Sequence, residues 1–74
     1  MSLTLETIKN LLEQAEALVP GNNANKEEKK STIISLLKAS RKSLAQYLNK
    51  RRNRDLVIAE ASYEKAKILY ESWA

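Results

Sequence analysis

The only proline and the only glycine of this 74-residue chain are neighbours, Pro20-Gly21, and Asn22-Asn23 follow them. Every other segment must therefore fold without the two residues that most readily break a helix or turn a chain. Eleven leucines, nine alanines and 30% charged residues fill those segments. That mixture favours helix over strand. One domain covering residues 1–74 is all the length allows, and a core this small is barely sufficient alone.

Apolar spacing divides the chain into three helices. Leu5, Ile8, Leu12, Ala15 and Val19 step by three and four residues, which puts them on one helix face, with Leu11 and Leu18 broadening it. This predicts a first helix over residues 4–19, capped by Thr4 and stopped by Pro20-Gly21. Asn25 with Glu28 resembles a capping box, so a second helix is predicted over 26–52, carrying Ile33, Leu37, Leu44 and Leu48. Leu56, Ala59, Tyr63, Ala66, Tyr70 and Trp73 form a third seam, predicting a helix over 54–73. That seam is about 100° out of phase with the second, which favours a break near Asn53. The alternative is that helices two and three are partly continuous. The expected fold is an all-α, small three-helix bundle.

The chemistry available to such a chain is narrow. With no Cys and no His, disulfides, Cys/His zinc sites, Cys nucleophiles and His acid–base catalysis are excluded. Two Ser-x-x-Lys matches, Ser35 to Lys38 and Ser62 to Lys65, stand without any accompanying motif. The carboxylate pairs Glu13/Glu16 and Glu60/Glu64 read as solvated helix faces. No catalytic residue, metal ligand or cofactor is expected, and the chain is read as not an enzyme. No secretory leader or membrane-spanning run is recognisable, so a cytoplasmic location is expected and a membrane role is not.

Charge is the feature that stands out. Nine basic residues and no acidic one lie between Lys29 and Arg54, whereas the rest of the chain carries four basic and nine acidic residues. Lys38, Arg41 and Lys42 share one helix face, which leads toward Arg51, Arg52 and Arg54. These six are the candidate phosphate-binding residues of a nucleic-acid-binding accessory protein. Three other readings compete with that one. The late cations offset the dipole of helix two, or the basic helix complements its acidic neighbours, or it faces an acidic protein.

The leading expectation is a small protein–protein interaction module or regulator, self-associating as a homo-oligomer. Leu36, Tyr47, Tyr70 and Trp73 are its candidate interface residues, because large apolar and aromatic side chains dominate interface energetics. In size and charge the chain resembles small basic helical bundles among bacterial and phage accessory proteins, bacteriocin-immunity proteins included. That likeness implies a fold and a binding role, and it carries no residue across.

Overall fold

The computed structural model describes residues 3–73. It is an all-α three-helix bundle: α1 spans Leu5–Glu16, α2 Ala24–Lys50 and α3 Asn53–Glu71. Successive helices run antiparallel, α2 and α3 pair along most of their length, and α1 lies chiefly against α2. At about 1.5 Å per residue, α2 is about 40 Å long and α1 only about 18 Å. The bundle is accordingly a rod of 43 × 18 × 18 Å.

The core follows the three seams. Ile8, Leu11, Leu12 and Ala15 of α1 meet Ile33, Leu37 and Leu44 of α2 and Ala59, Tyr63 and Ala66 of α3. Where Ser40 meets Ala59 the α2–α3 contact is made by small groups, and the buried Ser40 hydroxyl donates to the Ala59 carbonyl at 2.7 Å. A hydroxyl satisfied this way lets two helices approach without leaving a buried polar atom unpaired.

Thr4 caps α1 as expected, its side chain accepting the Thr7 N–H at 3.1 Å, whereas other helix ends differ from their sequence expectations for local reasons. α1 stops at Glu16, not at residue 19, and Val19 is 79% exposed. Pro20 disfavours helical backbone at the residue before it, so Val19 leaves the helix. The first turn of α2 is capped by Asn23, whose side chain accepts the Lys26 N–H at 3.1 Å, so Asn25 is already helical. Gly21 (φ +61°) and a bond from the Asn23 N–H to the Pro20 carbonyl turn the chain early enough for this.

The break between α2 and α3 is real, and it falls at Arg51 instead of Asn53. Arg51 takes the left-handed conformation (φ 58°, ψ 33°), and its N–H donates to the Tyr47 carbonyl. Arg52 then becomes the N-cap of α3, which places Asp55 in the first turn, where a carboxylate is favoured. Arg52 Nε meets Asp55 Oδ2 at 3.0 Å. Asn53 is the first residue of α3 and is not needed as a cap.

Candidate binding surface

The nine cations of the acid-free stretch separate into two groups once folded. Lys29 Nζ donates to the Ser72 carbonyl at 2.6 Å and Lys30 Nζ to the Leu18 carbonyl at 2.8 Å. Both carbonyls lie just beyond helix C-termini, where the backbone leaves acceptors unsatisfied. Arg52 is half-buried and held by Asp55. These three cations serve the fold.

The other six, Lys38, Arg41, Lys42, Lys50, Arg51 and Arg54, are exposed. Among the described residues the only ion pair is Arg52–Asp55, so none of the six meets a carboxylate within 4 Å. The expected complementarity between the basic α2 and acidic faces of α1 and α3 is therefore not built from direct ion pairs. Glu6, Glu13 and Glu16 of α1 and Glu60, Glu64 and Glu71 of α3 all face solvent.

Helix-dipole compensation also loses its force. α3 begins two residues after Arg51, so its positive end sits beside the negative end of α2 and offsets it. Lys50 and Arg54 gain no further reason from that source. Arg51 has a local contact only, its guanidinium lying 5.7 Å from the centre of the Tyr47 ring.

Beside Arg41 and Lys42 the shortness of α1 leaves an open furrow of about 800 Å³. Its lining is Leu5, Glu6, Lys9 and Asn10 of α1 with Arg41, Lys42 and Ala45 of α2. Leu5 is 40% exposed there, and Leu48, one turn beyond Ala45, is 45% exposed because α1 does not reach it. The furrow thus has an apolar floor and three cations against one carboxylate. Sequence reading identified Arg41 and Lys42 but missed Leu5, Lys9 and Ala45. The only signal for them is the mismatch in length between α1 and α2.

The four candidate interface residues are all placed half-buried against the core. Tyr70 lines a groove with Thr7 and Leu11 of α1, and the Lys26 ammonium lies 5.6 Å from the centre of the Trp73 ring. Leu36 and Tyr47 lie on the side of α2 turned toward α3. Much of their apolar surface is already used within the chain. Among the described residues, no helix is long and apolar enough to cross a membrane. Comparison with known proteins finds no matching family model, no matching curated protein and no matching solved structure.

Proposed function

We propose that this chain is a non-enzymatic protein-interaction module whose cationic side of α2, with the adjoining α1–α2 furrow, docks an acidic protein surface. The observation that supports this is the pairing of exposed, unneutralised cations with an apolar floor. Cations alone would suit any polyanion. An apolar floor adds nothing to a phosphate backbone but gives a protein partner area to bury.

The test is fluorescence anisotropy of labelled polyglutamate, duplex DNA and single-stranded RNA against the protein, at about 50 and 200 mM salt. Polyglutamate binding that drops at least tenfold in the Arg41→Ala, Lys42→Ala double variant is expected. Polyglutamate binding that this variant leaves unchanged, or no binding at the lower salt, rejects the reading.

One observation favours a second reading. Lys50, Arg51 and Arg54 continue the cationic line past the furrow to the hairpin end, where a phosphate backbone could be followed. A nucleic-acid role predicts that Arg51→Ala with Arg54→Ala weakens binding to unrelated sequences alike and flattens the salt dependence. Arg52 is the poorer choice for this test, since its loss would also strand Asp55.

A further inference from the structure

The connection between α2 and α3 is held against local preference. Among the described residues, Arg51 is the only one other than glycine with a positive φ (58°), and its ψ of 33° completes a left-handed turn. That conformation costs an L-residue about tenfold in population. No helix breaker forces the turn: residues 24–72 contain neither Gly nor Pro, and Lys50, Arg51 and Arg52 are good helix formers. The turn also leaves helix ends incompletely satisfied, since Arg52 caps α3 without a side-chain hydrogen bond.

We infer that Arg51 is a hinge through which two copies of this chain exchange α3. When Arg51 takes the ordinary right-handed conformation, α2 and α3 become one helix over residues 24–71, about 70 Å long. Its backbone hydrogen bonds then run on through the former turn. Ala59, Tyr63 and Ala66 leave their own α2, and the surface shaped to cover them is the α2 of a second copy in the same state. Every contact of the hairpin is remade between chains, the Ser40 to Ala59 bond included, so the backbone changes at the hinge alone. α1 stays on its own α2, and the furrow keeps its lining. Exchange is therefore independent of acidic-protein docking: either can fail while the other stands.

With Ser40 of each long helix opposite Ala59 of the other, residues 49 and 50 of the two copies meet at a two-fold axis. Leu48, 45% exposed in the hairpin, lies within a turn of that axis and gains its counterpart as cover. Two effects oppose the exchange. Lys50, Arg51 and Arg54 of both copies are drawn together, and docking within one chain profits from a connection of only two residues. The hairpin is accordingly the dilute form and the exchanged dimer the concentrated one.

The test refolds the protein at about 1 mM, the effective concentration of a short connection, and measures mass by sedimentation equilibrium. Because the chain has no Cys, Ala39→Cys with Lys65→Cys takes spin labels at two exposed positions alone. Labelled chains in a large excess of unlabelled ones report the distance within a chain by pulsed electron resonance. Those backbone positions are less than about 20 Å apart across packed helices, and about 39 Å apart along one continuous helix. A dimer showing the long distance is expected. Arg51→Gly, which accepts the left-handed turn and weakens a helix interior, should raise the dimer dissociation constant at least about thirtyfold. Arg51→Val, whose branched side chain resists the left-handed turn, should lower it about tenfold. A protein that stays monomeric at about 1 mM in both the unaltered and the Arg51→Val forms overturns the inference. So does a dimer that keeps the short distance, or one that Arg51→Gly leaves unchanged.

Discussion

The two ends of the rod use the same residue types to opposite effect. At one end, the start of α2 meets the C-terminal ends of α1 and α3, and lysine works as a clasp. Lys29 and Lys30 bind the carbonyls of Ser72 and Leu18, and Lys26 covers the Trp73 ring. At the other end, where α2 turns into α3, Lys50 and Arg54 meet no carboxylate among the described residues, and Leu48, Val57 and Ile58 are all more than 40% exposed. A lysine is structural here where it meets orphan helix carbonyls, and available to partners where two opposed helix dipoles cancel. Lys29 and Lys30, which open the basic stretch, lie at the clasp end; at the hairpin end Arg52 alone is held, by Asp55.

The strongest way to break this contrast is to remove the clasp's ring. Trp73→Ala should lower stability by about 2 kcal/mol, less than for a fully buried aromatic because the ring is half-buried. Chemical denaturation followed by circular dichroism reads this directly, and an unchanged midpoint would mean the C-terminal end is not held. Removing both amines, Lys29→Ala with Lys30→Ala, should cost about 1–2 kcal/mol in the same assay, two exposed or part-buried bonds at ordinary strength.

Two changes at the hairpin end sharpen the comparison from the opposite side. Arg51→Gly should raise stability by about 0.5–1 kcal/mol, because glycine removes the steric cost of the left-handed backbone. The same change should weaken polyanion binding, so stability and binding move in opposite directions. Lys50→Ala with Arg54→Ala should leave the denaturation midpoint unchanged, as expected for surface residues with no intrachain partner. A clear loss of stability there would show that these cations also serve the fold.

The three helices were legible because apolar residues recur at three- and four-residue steps, a signal that survives without tertiary information. Its limits lie at the ends of each seam. Leu5 and Val19 continue the α1 pattern in perfect phase, yet both are exposed, one where α1 starts and one where Pro20 ends the helix. Asn53 was the residue most tolerant of a left-handed turn, but local tolerance lost to the placement of Asp55 in the first turn of α3. Of the candidate site, Arg41 and Lys42 could be read from a helical wheel. Their neighbours Leu5 and Lys9 come from another helix, and only the packing of α1 on α2 brings them together.

The length of α2 also governs how the molecule moves through water. A compact chain of this size would have a radius of gyration of about 11 Å. The rod has 12.7 Å, with its long axis more than twice its width. Friction and tumbling are therefore those of a prolate body: a single copy elutes ahead of spherical standards of equal mass and rotates more slowly end over end than about its axis. A monomer of this shape passes for something larger on a sizing column, so only mass-sensitive measurements separate its elongation from true assembly.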